Sequence, residues 1–242
     1  MRKTLLAAAL GLALGSPLSA LSLDASVHGG FTTFNMGDLN RSNATLMGWD
    51  LAPYSQDISS GYVVGMDWVT RAWSPLAGMT WGLRTEYLQS NLAEMKNYPN
   101  DVTLVMTDQA SLTDALVGAN LAVPAGTSGL TVGVGAWLGY GLGVMNQHKT
   151  YDGGSSRSIR IQSGAFSDTI LVGELETSLG YDLTPHWGVS FTGGWRWADA
   201  PEVKSGSEAL DDGSTLWEFG RKTPVNVDFG GATAQGSVHY RF

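Results

Sequence analysis

The stretch Leu130 to Met145 reads LTVGVGAWLGYGLGVM, and its reading decides the fold. Its even positions, from Leu130 through Val134 and Leu138 to Val144, form one unbroken apolar face. The other face is Gly133, Gly135, Trp137, Gly139, Gly141 and Gly143. Alternation with period two puts these sets on opposite faces of an extended strand. Helical periodicity is nearly absent from the whole chain.

Working outward, seven more runs show the same alternation: Leu23 to Asn35, Gly61 to Ala72, Thr80 to Gln89, Val102 to Val123, Ser167 to Leu183, Trp187 to Ala198, and Val225 to Phe242. In the last, Ala232, Ala234, Gly236, Val238, Tyr240 and Phe242 alternate with Thr233, Gln235, Ser237, His239 and Arg241. The seventh sets Trp187, Val189, Phe191, Trp195 and Trp197 against Ser190, Thr192 and Arg196. The connections alternate too. Trp73 to Met79, Pro124 to Gly129 and Thr184 to His186 are short and hold Pro or Gly, as tight turns do. Met36 to Ser60, Ser90 to Asp101, Asn146 to Phe166 and Asp199 to Pro224 are long and polar.

Short turns at one end and long loops at the other are the mark of a membrane β-barrel with its termini on the turn side. A tilted strand crosses the hydrocarbon in about 9–11 residues, so every run is long enough. The extra length of the fourth and sixth predicts strands that continue beyond the membrane. Lys or Arg turned to lipid at the midplane costs about 2–4 kcal/mol, so the charged faces must point inward. A soluble calyx would reverse this, with apolar side chains within. Against it, the second face is rich in Gly and poor in Lys. The aromatics also gather at strand ends: Trp81, Tyr181, Trp187, Tyr240 and Phe242 near the turns, and Tyr62, Tyr87 and Trp197 near the loops. Two such groups read as girdles at the two interfaces. The expected fold is all-β, a closed antiparallel transmembrane β-barrel of eight strands. A ten-stranded count stays open if Leu216 to Phe219 and their surroundings add a hairpin.

Composition agrees. Residues 1–20 read as a signal peptide: Arg2 and Lys3, the apolar run Leu5 to Leu14, then Gly15, Ser16, Pro17 and the small pair Ser19 and Ala20. The apolar run falls short of the roughly 20 residues of a membrane helix. Cleavage is expected after Ala20, with Ser22 a second candidate, which leaves residues 21–242 as one barrel domain. Losing Arg2 and Lys3 takes the formal charge from −8 to −10, and an acidic balance argues against a nucleic-acid partner. The chain has no Cys, so no disulfide staples it. Only 15% of residues are charged, against roughly 25–35% for a soluble surface.

The leader, the eight alternating strands, the loop asymmetry and the terminal Tyr240, Arg241 and Phe242 together resemble the small outer-membrane barrels of the OmpA/OmpX type. The resemblance spans the mature chain by pattern rather than by motif. It implies residence in the cell outer membrane among its lipids. It further implies that Phe242 belongs to the signal read by the barrel-assembly machinery.

An eight-stranded barrel is just wide enough for its own side chains, so charges within must find partners. A turn centred on Pro185 places Glu174 beside Arg196 on the inward face. Asp67 and Arg84 fall one diagonal step apart, with Glu86 nearby and Glu176 below Glu174. This interior polar network either closes the lumen or lines a narrow path for ions, and the glycine stripe of the fifth strand suits both.

Other sites are weaker. Of His28, His148, His186 and His239, only His28 and His239 face inward, on neighbouring first and last strands, with Ser26 and Ser237 two residues away. No acid is placed to orient either imidazole, so no catalytic residue is assigned. Zinc wants three or four protein ligands, so two histidines assign no metal. Gly139 to Gly143 resembles a dinucleotide fingerprint but lies within a strand, and no cofactor is expected. Asn43 to Thr45 matches a glycosylation sequon, and Asp50, Asp57, Asp211 and Asp212 read as solvated loop acids in preference to calcium ligands. The expected role is structural or surface-interactive, carried by long extracellular loops whose ligand the sequence leaves open. The alternatives are a porin-like narrow pore for ions or small solutes, an outer-membrane lipid-modifying enzyme, and a soluble ligand-binding calyx.

Overall fold

A computed structural model describes residues 23–37, 39–40, 54–55, 57–71, 74, 76–97, 103–126, 129–152, 160–200, 204–205 and 226–242. The leader, the sequon, Asp50, Asp211, Asp212 and the 216–219 segment lie outside the described residues.

Eight long strands make the wall: β1 (Leu23–Thr33), β2 (Ser60–Thr70), β3 (Met79–Ser90), β4 (Thr103–Pro124), β5 (Leu130–Asp152), β6 (Arg160–Asp182), β7 (Trp187–Trp197) and β8 (Gly231–Arg241). Each pairs antiparallel with the next, and β8 pairs back onto β1 from Asp24 opposite Arg241 to Thr32 opposite Thr233. The chain is therefore an all-β, closed, eight-stranded antiparallel barrel. Closure satisfies the backbone groups that an edge strand would expose, a requirement in lipid.

The side-chain parity follows the sequence. Val132, Val134, Leu138, Tyr140 and Leu142 of β5 are exposed outside, while Gly133, Gly135, Trp137, Gly141 and Gly143 are buried inside. Large apolar side chains cover the exterior on every strand, among them Phe31, Val64, Leu83, Val117, Leu171, Phe191 and Val238. Trp81, Tyr181, Trp187 and Phe242 are exposed near the turns, and Tyr62, Tyr87 and Trp197 near the other rim. The turns use the left-handed backbone that glycine adopts without steric cost, at Gly78 (φ 83°) between β2 and β3 and at Gly126 (φ 87°) between β4 and β5. In the β6–β7 turn the Thr184 hydroxyl accepts from the Trp187 N–H at 2.9 Å.

Three expectations are corrected. The segments 90–101 and 146–166 are not simple loops. Ala93–Asn97 is a strand paired with β4, and the β5–β6 ladder runs on to Tyr151 opposite Arg160. With 22, 23 and 23 residues, β4, β5 and β6 stand as a tall half-wall beyond strands of 11 or 12, so β5 is overlong as well as the fourth and sixth. The sequence over 146–152 and 160–166 lacks the alternation that marks a half-buried strand, so these extensions left no pattern to read. Second, the last barrel strand begins at Gly231, not Val225, because Val227–Asp228 pairs with Asp199–Ala200 outside the main ring.

The third correction concerns the interior, which is not polar throughout. At the loop end it is filled by buried Val63, Leu88, Leu112, Met145, Ile170 and Val172 from the strands. Phe34, Met36, Leu39, Ile58 and Phe229 complete this cap from the segments next to β1, β2 and β8. Asn40 ties the cap down, its side chain bonding both the carbonyl and the N–H of Ile58 at 2.9 and 3.1 Å.

Candidate functional site

Beneath the apolar cap, inward positions of β1, β2, β3, β6, β7 and β8 build one charged layer. Asp67 sits directly opposite Arg84 in the β2–β3 ladder, not a diagonal step away, and Arg84 Nε donates to Asp67 Oδ1 at 2.8 Å. Glu174 is opposite Arg196 in the β6–β7 ladder. Arg196 Nη2 donates to Glu174 Oε2 at 3.2 Å and also to the Glu86 carboxylate across the lumen. Arg84 spans the lumen in the other direction, reaching Glu176 Oε2 at 2.7 Å and Glu174 Oε2 at 3.3 Å. Asp67, Arg84, Glu86, Glu174, Glu176 and Arg196 thus meet as one network, in which Arg196 is wholly buried and Glu174 is 1% exposed.

Neutral groups complete the layer. Trp137 Nε1 donates to Glu176 Oε1 at 2.8 Å, and the Arg84 guanidinium lies 4.2 Å over the Trp137 ring. Thr233 donates to Glu174 and Gln235 to Glu86, at 3.3 and 3.2 Å. Asp114 joins from β4, directly opposite Glu86 and buried, and neither of its carboxylate oxygens has a hydrogen-bond partner among the described residues. The sequence reading put Trp137, Thr233 and Gln235 on inward faces without joining them to the network, and it missed Asp114. Inward parity on their strands was the available signal, but parity alone does not tell height along the barrel.

The glycine stripe of β5 makes room for these groups. A Cβ on Gly135 would lie 2.7 Å from Glu176 Oε1, and one on Gly143 would lie 2.7 Å from the Phe229 ring. The stripe is filled by neighbouring side chains.

The histidines are placed differently from the expectation that no acid faces them. His28 Nε2 is 2.9 Å from Glu86 Oε1, and its Nδ1 is 3.6 Å from Asp67 Oδ2. His239 Nε2 is 3.5 Å from Asp182 Oδ1. The serines are engaged elsewhere: Ser26 donates to Asp67 at 3.0 Å, and Ser237 pairs with Ser190 at 2.6 Å. Both ring nitrogens of His28 face carboxylates, which leaves none to take a proton from a serine. Among the described residues, no three His, Asp or Glu side chains converge on a metal position.

Below the charged layer the lumen opens toward the short turns as a cavity of about 670 Å³. Its floor is His28, Asp67, Arg84, Trp137, Glu176 and Gln235. At its mouth Asp24 lies 3.5 Å from Arg241 and 3.6 Å from Arg71, and Arg241 lies 3.6 Å from Asp182. Of these pairs, Asp24 with Arg241 bridges the seam between the first and last strands.

No protein-family model matches the sequence, and no curated relative matches it. Among solved structures, a major outer membrane protein from Thermus thermophilus is similar at 13% identity with a TM-score of 0.45, over 92% of this chain and 100% of that one. The outer membrane protein OprG from Pseudomonas aeruginosa is similar at 14% identity with a TM-score of 0.40, over 92% and 97%. Neisserial surface protein A is similar at 10% identity with a TM-score of 0.39, over 92% of this chain and 97% of that one.

Proposed function

We propose that this chain is an integral protein of the outer membrane, exported by a cleaved leader over residues 1–20. Its closed barrel is a scaffold, and the long connections at the cap end carry a structural or surface-interaction role. The observation that carries this reading is inversion: the exterior is apolar on all eight strands, while Arg84, Arg196 and five carboxylates are held within. Such a surface suits lipid and would aggregate in water. The barrel-assembly machinery is the expected partner in biogenesis, with Phe242 as the residue it reads. A non-enzymatic role is supported by the engagement of Ser26, His28 and Ser237 in hydrogen bonds and ion pairs of their own.

A narrow pore is the second reading, favoured by the cavity that reaches the charged layer from the turn end. The cap above that layer favours the scaffold. Membrane fractionation with heat-modifiable gel migration tests the membrane location, and a soluble, heat-insensitive product would overturn it. Planar-bilayer recordings separate the scaffold from the pore, since the scaffold gives no openings above background.

A further inference from the structure

The cavity at the turn end carries more than solvent-facing wall. The cation of its charged floor is already engaged, because Arg84 is held by Asp67 and Glu176. The acids and bases at the mouth face one another. Between floor and mouth, strand register assembles a ribbon of uncharged hydrogen-bonding groups. Gly133 of β5 is opposite Ser178 of β6, Ser178 is opposite Thr192 of β7, and Thr192 is opposite Gln235 of β8. Asn120 of β4 leans over Gly133 as well: a Cβ there would lie 3.0 Å from its Oδ1 and 2.5 Å from the Ser178 hydroxyl.

Gln235 is engaged with Glu86, and the other three polar groups, Asn120, Ser178 and Thr192, are available. Asn120 Oδ1 is buried without a hydrogen-bond partner among the described residues. The hydroxyls of Ser178 and Thr192 make no hydrogen bond with another described residue. Apolar Val69, Ala77 and Ala122 line the same cavity, and a volume of about 670 Å³ lies within the roughly 300–1,000 Å³ of small-ligand sites.

We infer that this cup binds a neutral saccharide of mono- to disaccharide size. A sugar ring presents many hydroxyls that both donate and accept, which match a ribbon of hydroxyl and amide side chains. Its C–H faces match small apolar wall positions. An anionic solute would meet the excess of carboxylates at the floor, and an ionic solute of either sign would have to part the pairs that Arg84 and Arg241 already make, a separation that is costly in a buried setting. The sugar's source, free solute or cell-wall glycan, is distinguished by the test.

The full chain is refolded in a phosphocholine detergent, which carries no sugar headgroup, and titrated with maltose and with N,N′-diacetylchitobiose by calorimetry and ligand-observed NMR. Saturable binding of at least one disaccharide is expected. Preference for the acetylated sugar assigns a glycan, and preference for maltose a free sugar. The triple variant N120A/S178A/T192V weakens binding tenfold or more, whereas the outward-facing Thr113→Val leaves it unchanged, both with normal heat-modifiable migration. Should the triple variant fail to fold, Ser178→Ala alone is read for a smaller loss. The inference is overturned if neither disaccharide binds the folded wild type, if folded cup variants bind as tightly as wild type, or if glutamate or arginine binds equally well. Membrane insertion and silence in planar bilayers are read separately, so failure here leaves the scaffold reading standing.

Discussion

Arg196 is the residue on which the interior most depends. It is wholly buried and is the cation held by both Glu86 and Glu174, so Arg196→Met strips a cation from two carboxylates in a low-dielectric layer, leaving Glu174 its 3.3 Å bond from Arg84 and Glu86 its 2.9 Å contact with His28. Removing one partner of a buried pair typically costs about 3–5 kcal/mol. That loss should appear in urea unfolding followed by tryptophan fluorescence in micelles. Arg71 pairs with Asp24 too, at 3.6 Å, but its side chain is 48% exposed. Arg71→Met should therefore cost under about 1 kcal/mol. A second residue-scale prediction concerns Gly143, whose missing side chain is occupied by the Phe229 ring. Gly143→Leu should destabilise by about 1–3 kcal/mol through overpacking. Adding Phe229→Ala should return part of that loss, seen as a coupling energy in a double-mutant cycle. Strict additivity would show that the two positions do not share the space.

For the strand as an element, what matters is parity and depth. Leu138, midway along β5, is 59% exposed on the outer face, and Val123 near the end of β4 is 52% exposed. In a bilayer Leu138→Arg should cost about 2–4 kcal/mol and Val123→Arg only about 0–1 kcal/mol, measured by unfolding from lipid vesicles. Equal costs at both sites would mean that no hydrocarbon slab surrounds the barrel. The end of β8 is a second element with a definite expectation. The Phe242 N–H donates to Leu23 O at 3.0 Å, while its ring is 70% exposed and lies 4.9 Å from that of Tyr240. Nothing in the folded barrel needs that ring strongly. Phe242→Ala should lower the assembled barrel in cells several-fold, yet refold in micelles with unchanged heat-modifiable migration. Equal losses in both settings would assign the ring to stability and not to assembly.

In the molecule as a whole, two packed levels stand in series within the barrel. The apolar cap uses segments next to β1, β2 and β8, and the charged layer beneath it, with the neutral groups that complete it, draws on all eight strands. On the scaffold reading both levels close the lumen, so the double variant F34A/F229A should remain silent in planar bilayers despite its loosened cap. Steady openings from that variant would show that the cap alone closes the barrel. Among the described residues, β4, β5 and β6 rise beyond the other five strands at the loop end.

The chain's own pattern determined the strands, their inward and outward faces, and the pairing of Glu174 with Arg196 through the turn at Pro185. These follow from period-two geometry and from hairpin register, which are local properties. Tertiary structure alone decided that Arg84 on β3 reaches Glu176 on β6, and that Arg196 on β7 reaches Glu86 on β3. Such contacts cross the lumen between strands that never pair, so they depend on barrel diameter and stagger, quantities set only when the ring closes. The same closure set the height at which Asp114, Trp137 and the leucines of the cap meet. Parity tells a side chain which way to face, and only the closed ring tells it whom it will find there.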